Sequence, residues 1–225
     1  MGFTRAELES FVGATVPDLL GPGLKLLVVG INPGLWTAAT QTHFAHPGNR
    51  FYPALHQAGI IERKIDRGKG MTDADRKHLI ERGVGISNVA HRATAKASEL
   101  STDELVEGGR RLRELVARVR PAVVAVAGVT AYRTAFGQRK AVMGEQPDGF
   151  ESARLWVVPN PSGLNAHETT GSLAVAYAEP AIAAGVITPA SCMAAAEGDG
   201  GANPATDAAA PTAAPTAADR EEGGR

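Results

Sequence analysis

The sequence predicts an α/β fold in which a parallel sheet is flanked by helices. Four short apolar runs have the length of buried strands, at residues 24–31, 84–89, 122–127 and 155–159. Segments with helical spacing separate these runs. Because strands alternate with helices along the chain, a parallel sheet with helices packed on it is favoured over an antiparallel one.

The first half of the chain carries clear signals for helix starts. Thr4 and Glu7 have the spacing of a capping box, in which each side chain bonds the backbone N–H of the other residue. Thr72 and Asp75 repeat that spacing before a second helical segment. Residues 49–58 are expected to form another helix, which ends at a glycine.

The second half predicts three more helices and the centre of the sheet. Residues 103–119 have the apolar spacing of an amphipathic helix, given by Leu105, Leu112, Leu115, Val116 and Val119. The run at 122–127 is almost purely Val and Ala, which suits a central strand covered on both faces. Helices are also expected over 130–136 and 172–184, and Pro180 should kink or break the last one.

The chain is expected to divide into one domain and a tail. It has 225 residues, 44% of them apolar, which suffices for a single well-packed domain over residues 1–188. Residues 189–225 are dominated by Ala, Gly and Pro and contain no Leu, Ile, Val or aromatic residue. Such a composition cannot bury enough surface to offset chain entropy, so we expect a disordered acidic tail.

Charge and cysteine content exclude several classes of protein. The net charge is −1, but the tail contributes −4 and the body therefore carries +3, which permits nucleic-acid binding without requiring it. The only cysteine is Cys192, which excludes an intramolecular disulfide, a thiolate zinc site and a four-cysteine iron–sulfur cluster. No apolar stretch approaches the roughly 20 residues of a membrane span, and no secretory signal is visible. We therefore expect a cytoplasmic monomer.

Three strings rich in Asn, Pro and Gly are candidates for a functional site. They are Gly30-Ile31-Asn32-Pro33-Gly34-Leu35, Phe44-Ala45-His46-Pro47-Gly48-Asn49-Arg50-Phe51 and Asn160-Pro161-Ser162-Gly163-Leu164. The first and third leave the carboxyl ends of predicted strands, and in a parallel sheet those ends meet at one edge, where ligands commonly bind. The structural alternative for the first string is a simple tight turn, since Asn, Pro and Gly are turn residues.

The chemistry open to Asn32 is limited to positioning. A carboxamide cannot act as a general base near neutral pH, but its oxygen and NH₂ group can orient a water molecule. A positioned water suffices where the transition state is already dissociative, as in cleavage of a glycosidic bond through an oxocarbenium-like sugar. The departing anion then needs stabilisation, which backbone N–H groups of a glycine-containing turn can provide.

Together the three strings resemble the signature loops of the mismatch-specific uracil-DNA glycosylases, which are relatives of thymine-DNA glycosylase. Further landmarks agree in order and spacing, namely Gly83-Val84-Gly85-Ile86, Gly108-Gly109-Arg110 and Trp156 in the last predicted strand. The resemblance covers about residues 18–180. It implies a three-layer α/β/α fold around a four-stranded parallel sheet.

The resemblance also implies an activity, a partner and residue roles. The protein would flip uracil, and variably thymine or etheno-cytosine, out of double-stranded DNA where it is mispaired with guanine. It would hydrolyse the N-glycosidic bond and leave an abasic site, with no metal or cofactor. Asn32 would position the attacking water, Ile31 would contact the base through its backbone and Phe44 would stack on it. The expected base pocket also includes Gly34, Trp36, Thr37 and Asn88.

The third string is implied to enter the duplex where the nucleotide has left. Gly163 permits a close backbone approach, and Leu164 provides an apolar wedge in place of the missing base. The structural alternative for Leu164 is an ordinary buried leucine at the end of a strand, and for Phe44 a plain role in the core. The expected loop comprises Asn160, Pro161, Ser162, Gly163, Leu164, Asn165 and His167.

The chain departs from the family pattern at several positions. Asn165, Ala166 and His167 stand where bacterial relatives have a Ser-Arg pair that supports contact with the unpaired guanine, so His167 is a candidate substitute. Trp36 and Thr37 replace small hydroxylated residues near the base. Opposite-base recognition and the range of accepted bases are therefore open.

Two alternative functions remain after the sequence has been considered. One is a glycosylase of the same fold with another lesion, such as hypoxanthine or xanthine. The other is a DNA-binding module that has lost catalysis, against which Asn32 and Phe44 argue. Arg50 and Lys96 are candidates for contacts with DNA phosphates, and His46 and His56 are expected to be structural or surface residues.

Overall fold

The chain, seen in a computed structural model that describes residues 2–191, contains seven α-helices and five strands in that range. In chain order the elements are α1 (Arg5–Glu9), β1 (Leu26–Gly30), α2 (Leu35–Thr40), α3 (Phe51–Gln57), α4 (Asp73–Glu81), β2 (Val84–Asn88), α5 (Thr102–Val119), β3 (Val123–Ala127), α6 (Val129–Phe136), β4 (Gly144–Phe150), β5 (Ala153–Val158) and α7 (Thr170–Ala183). The predicted disordered tail lies outside the described residues from position 192 onward.

The four predicted strands form a parallel sheet. The strands lie in the order β2–β1–β3–β5–β4. Val28 of β1 is opposite Ile86 on one side and Ala125 on the other, and Ala125 is opposite Trp156 of β5. The predicted α/β class, with a parallel sheet between helices, is therefore confirmed.

The predicted strand count of four is wrong, because β4 adds a fifth strand at one edge. It pairs antiparallel with β5 and has an irregular register between Gln146 and Phe150. Its sequence includes Pro147 and Gly149, which are depleted in strands, and most of its side chains are not buried. An edge strand of this kind lacks the apolar pattern that identifies a buried strand.

Alternate side chains of the strands point into two cores, which gives the fold three layers. Leu26 and Val28 of β1 pack on one face with α3, α4 and α7. Leu27 and Val29 pack on the other face with α5 and α6. Each of the strands β1, β2 and β3 has five residues, and all of them are buried, as expected for strands covered on both sides.

The helix starts follow the capping signals of the sequence. Thr4 and Thr72 both form the predicted capping boxes, with Glu7 and Asp75 as their partners. The predicted last helix is also present and contains Pro180 within it. The short helix α2 has no sequence signal of this kind, because Gly34 is its N-cap and makes no side-chain bond. Across the described residues, no helix has the length and apolar character needed to cross a membrane.

Candidate active site

The carboxyl ends of the parallel strands surround a cavity of about 590 Å³. Gly30 ends β1, Asn88 ends β2, Ala127 ends β3 and Asn160 lies just after β5, and all four line this cavity. The sequence-predicted residues that line it are Ile31, Asn32, Gly34, Trp36, Thr37, Phe44, Asn88, Asn160, Ser162, Gly163 and Leu164. The convergence of the three strings at one sheet edge is therefore observed.

Three predicted residues lie outside the cavity wall. Pro161 is buried behind the wall, and its carbonyl accepts a bond from the backbone N–H of Arg50 at 2.9 Å. Asn165 donates from its side chain to the Asn160 carbonyl at 3.1 Å. His167 is exposed. These residues shape or flank the loop rather than the cavity itself.

The carboxamide of Asn32 is held by its nitrogen. Nδ2 lies 3.0 Å from the Pro33 carbonyl oxygen, 3.0 Å from that of Arg92 and 2.8 Å from Thr94 Oγ1. Because Thr94 Oγ1 donates its own proton to the Lys96 carbonyl, it can only accept from Asn32. Three acceptors around one end of the amide fix that end as the NH₂ group. The oxygen Oδ1 is consequently the end left for the cavity.

A second segment braces the Asn32 loop along its length. The N–H groups of Val89 and Ala90 donate to the carbonyls of Gly30 and Ile31, both at 2.9 Å. These bonds continue the pairing of β1 with β2 beyond the ends of the strands. The brace is itself anchored by Arg92, whose Nε lies 2.7 Å from Glu104 at the start of α5. This pairing lowers the pKa of Glu104 to about 2.

The space beside Gly30 in the cavity is open because glycine has no side chain. A Cβ atom at this position would lie 2.6 Å from Asn88 Oδ1 and 3.2 Å from the nearest carbon of the Phe44 ring. Both distances are shorter than ordinary van der Waals contact, so only glycine leaves this space open. Asn88 and Phe44 therefore approach each other across the backbone of Gly30.

The orientation of Asn88 is set by a buried histidine. His43 Nε2 lies 3.0 Å from the Pro17 carbonyl, which can only accept, and Nδ1 lies 3.1 Å from Asn88 Nδ2. Burial lowers the pKa of His43, so the ring is neutral with its proton on Nε2. Nδ1 is then an acceptor, Asn88 Nδ2 donates to it, and Asn88 Oδ1 is the atom presented on the Gly30 side.

Phe44 combines a core contact with a place in the cavity wall. Its ring centroid lies 4.1 Å from that of Phe51, and it packs against the core beneath α3. The backbone of Phe44 has a φ of +56°, a left-handed conformation that is unfavourable for a bulky residue. The surrounding loop therefore holds the ring in place against a local preference for another conformation.

Trp36 and Thr37 lie at different depths of the wall. Thr37 is buried at 5% exposure, in the short helix α2. The Trp36 ring stands edge-on to two other rings, with centroids 5.1 Å from Phe3 and 6.1 Å from His46. Trp36 thus forms part of an aromatic rim with the N-terminal segment, which the sequence did not indicate.

The loop after β5 presents its apolar side chain to solvent. Leu164 is 94% exposed, which is the highest value among the exposed large apolar side chains of the described residues. Asn160 Oδ1 accepts from the Ser162 N–H at 3.1 Å and shapes the turn. Behind it, a Cβ on Gly163 would lie 2.6 Å from the Gly48 carbonyl oxygen, so the two loops meet backbone to backbone. The buried-leucine alternative does not describe Leu164.

The cavity wall is almost uncharged. Of the described residues that line it, none is Asp, Glu, Lys or Arg, and His46 is the only histidine. His46 Nδ1 accepts from the Gly48 N–H at 3.0 Å, so in the neutral ring the proton sits on Nε2. Four carboxamides line the cavity instead, from Asn32, Asn49, Asn88 and Asn160.

Sequence reasoning missed the residues that hold the site together. Thr94 and Arg92 anchor Asn32, and His43 orients Asn88, yet none has a local sequence signal because each acts on a residue far away in the chain. Asn49 lies within the second string and lines the cavity, with Oδ1 accepting from the Phe51 N–H at 2.9 Å. Its position next to Gly48, in a string rich in Pro and Gly, was a sequence signal that could have identified Asn49 as a site residue.

Comparison with known proteins identifies the fold and the family of the chain. The solution NMR structure of a candidate uracil DNA glycosylase from Methanosarcina acetivorans has the same fold with a TM-score of 0.53. The match is 17% identical and covers 78% of this chain and 98% of that one. At this identity the likeness concerns the fold alone. The family model described as the uracil DNA glycosylase superfamily matches residues 17–180, most of the chain, and the chain therefore belongs to that superfamily of DNA glycosylases.

Proposed function

We propose that this protein is a mismatch-specific DNA glycosylase that removes uracil, and related pyrimidines, from positions opposite guanine. The observation that carries the proposal is the Asn32 carboxamide, anchored through Nδ2 and lining a cavity whose described wall has no carboxylate or amine. Such a group can hold a water molecule but cannot remove its proton in the ground state. The reaction must therefore be one in which the bond to the leaving group breaks before the water attacks.

Hydrolysis of an N-glycosidic bond meets that requirement. The bond between the sugar C1′ and the base nitrogen breaks first, and its electron pair leaves with the base as an anion. Water held at Asn32 Oδ1 adds its oxygen to the cationic C1′, and the proton it releases neutralises the departing base. Backbone N–H groups of the Asn32 loop would stabilise the anion. The products are a free base and an abasic sugar.

The proposed pocket favours a base that carries its N–H donor at N3. Asn88 turns Nδ2 towards His43 Nδ1, so the atom that it presents on the Gly30 side is the acceptor Oδ1. Uracil and thymine carry an N–H at N3, whereas cytosine has an unprotonated nitrogen there. An acceptor fixed at this place supports selection of uracil over the normal base cytosine, since a mismatched lone pair would leave Asn88 unsatisfied. Phe44 in the wall would stack on the base, and Leu164 would fill its place in the duplex.

The absence of an amine from the described cavity wall supports a monofunctional enzyme. A lyase needs an amine that forms a covalent adduct with the sugar, and none of the lining residues is Lys. We expect that borohydride traps no covalent complex with cleaved DNA.

Single-turnover cleavage by the wild-type protein tests the proposal. The substrates are oligonucleotides with G·U, A·U, G·T, hypoxanthine or xanthine pairs, and single-stranded uracil. Fastest cleavage of G·U supports the proposal. Preferential cleavage of hypoxanthine or xanthine identifies a different lesion, and tight binding of G·U without cleavage identifies a binding module.

A further inference from the structure

We infer that Arg50 is a positioning residue that holds the loop of residues 160–168 in the shape needed to enter the duplex. Its guanidinium donates to three backbone carbonyls of this loop. Nη2 lies 2.8 Å from both the Ser162 and the Asn165 oxygens, and Nη1 contacts the Glu168 oxygen. One side chain thus fixes both sides of the turn that carries Leu164. This inference rests on the proposed function.

The Arg50 guanidinium is directed at the loop. Its Nε atom is buried, and no Asp or Glu of the described residues pairs with it. A guanidinium has five N–H donors in a fixed planar arrangement. Here Nη1 and Nη2 both donate to backbone carbonyls. The sequence-based expectation that Arg50 contacts a phosphate stays a prediction, and the salt dependence described below separates it from the positioning role.

The three carbonyls explain why a cation is needed at this place. Their oxygens carry partial negative charge and converge on one place behind the loop. A guanidinium on their inner side offsets that charge and leaves Leu164 as the outermost group of the loop. Charge-assisted bonds of this kind are about twice as strong as neutral ones, which suits a loop that must resist displacement.

Arg50 also connects the wedge to the base pocket. Its backbone N–H donates to the Pro161 carbonyl at 2.9 Å. The next residue, Phe51, supports the Phe44 ring at 4.1 Å between centroids. Displacement of a base by Leu164 and capture of that base beside Phe44 are thus coupled through adjacent residues of one short segment. Because the Arg50 side chain holds the loop that carries Leu164 and not the loop that carries Asn32, its loss should impair flipping more than chemistry.

The test compares single-turnover cleavage of uracil in a G·U duplex and in an unpaired bulge, where no partner base must be displaced. For Arg50→Ala we expect a loss of about tenfold or more on the duplex and less than about threefold on the bulge. Arg50→Lys should recover part of the duplex rate, because it retains the charge but not the fork. The matched control is Arg133→Ala, which removes an arginine that donates to the Ala141 carbonyl away from the cavity.

Two further readouts separate positioning from other roles. Once Leu164→Ala is present, Arg50→Ala should add little further loss on the duplex, because both act through the same wedge. The salt dependence of DNA binding should keep its slope in Arg50→Ala, whereas loss of a phosphate contact would reduce the slope by about one.

The inference is overturned by equal losses on duplex and bulge, by additive losses in the double variant, or by a reduced salt slope. A duplex rate that Arg50→Ala leaves unchanged also overturns it. A failure of the wild-type protein to cleave either uracil substrate refutes the proposed function instead, so the two failures are distinguishable. Melting temperatures of all variants check that each one folds.

Discussion

The loops after β1 and β5 meet at one cavity but are held in different ways. The β1 loop is braced by neutral hydrogen bonds from the 88–94 segment, and Thr94, its anchor, is 1% exposed. The β5 loop exposes Leu164 to solvent, and its backbone carbonyls accept hydrogen bonds from the Arg50 guanidinium on the inner side. The β1 loop thus holds its side chain in a fixed geometry, whereas the β5 loop exposes its side chain to an incoming partner.

The difference follows from what each loop has to do. A carboxamide that positions water must not rotate, and satisfied bonds in a region of low exposure restrict rotation most strongly. A wedge must enter a stack of bases, so its apolar side chain has to be exposed before DNA arrives. Loss of a buried contact should therefore affect stability and activity together on the β1 side. On the β5 side, loss of the exposed Leu164 side chain should affect activity alone.

The largest effect on the β1 side is expected from Gly30→Ala. The added Cβ would lie 2.6 Å from Asn88 Oδ1 and 3.2 Å from the Phe44 ring. Overpacking of this kind costs about 1 to 3 kcal/mol, so base capture should fall by roughly tenfold to a hundredfold. Single-turnover rates at increasing protein concentration measure it. The control Gly171→Ala adds a methyl group whose nearest neighbours are 3.8 Å away, and should match the wild type.

A pair of variants then compares the two loops directly. Thr94→Val removes an acceptor of Asn32 Nδ2 at constant size, and should lower both cleavage, by about tenfold, and the free energy of unfolding, by about 1 kcal/mol. Leu164→Ala should lower duplex cleavage but change the free energy of unfolding by less than about 0.5 kcal/mol, because its side chain is exposed. Equal stability losses would show that the two loops are not built differently.

The last effect concerns stability and not cleavage, and it is the pH dependence of the free energy of unfolding. Burial lowers the pKa of His43 from its ordinary 6.5, so below that pH the unfolded chain binds a proton that the folded protein does not. The free energy of unfolding should therefore decrease as the pH falls from 7 to 5, by up to about 1.4 kcal/mol per pH unit. His43→Gln should weaken this dependence, and His56→Gln should leave it in place. Denaturant unfolding at each pH measures the slope.

Sequence patterns predicted the parts of the fold that depend on local or periodic signals. The four parallel strands are continuous apolar runs, and the capping boxes at Thr4 and Thr72 lie within single turns. The edge strand β4 escaped prediction because it is polar and contains Pro147. Its pairing is decided by the neighbouring strand β5 rather than by its own sequence.

In the candidate site too, some features follow from sequence patterns and others depend on residues that are distant in the chain. The convergence of the strings around Asn32 and Gly163 could be predicted, because parallel strands bring their carboxyl ends to one edge. The partners of these residues could not, since the acceptors for Asn32 and the donors from Arg50 are paired only by the fold. The prediction of a phosphate contact for Arg50 took its charge into account but not its bonds to three loop carbonyls, which only the fold brings within reach.

The most direct test of the central claim is single-turnover cleavage of a G·U duplex by Asn32→Ala, with binding of the same duplex measured in parallel. If the Asn32 carboxamide holds the attacking water, cleavage should fall by at least about a hundredfold while the dissociation constant changes by less than about threefold. Cleavage near the wild-type rate would contradict the account. So would a loss of cleavage that is fully explained by weaker binding.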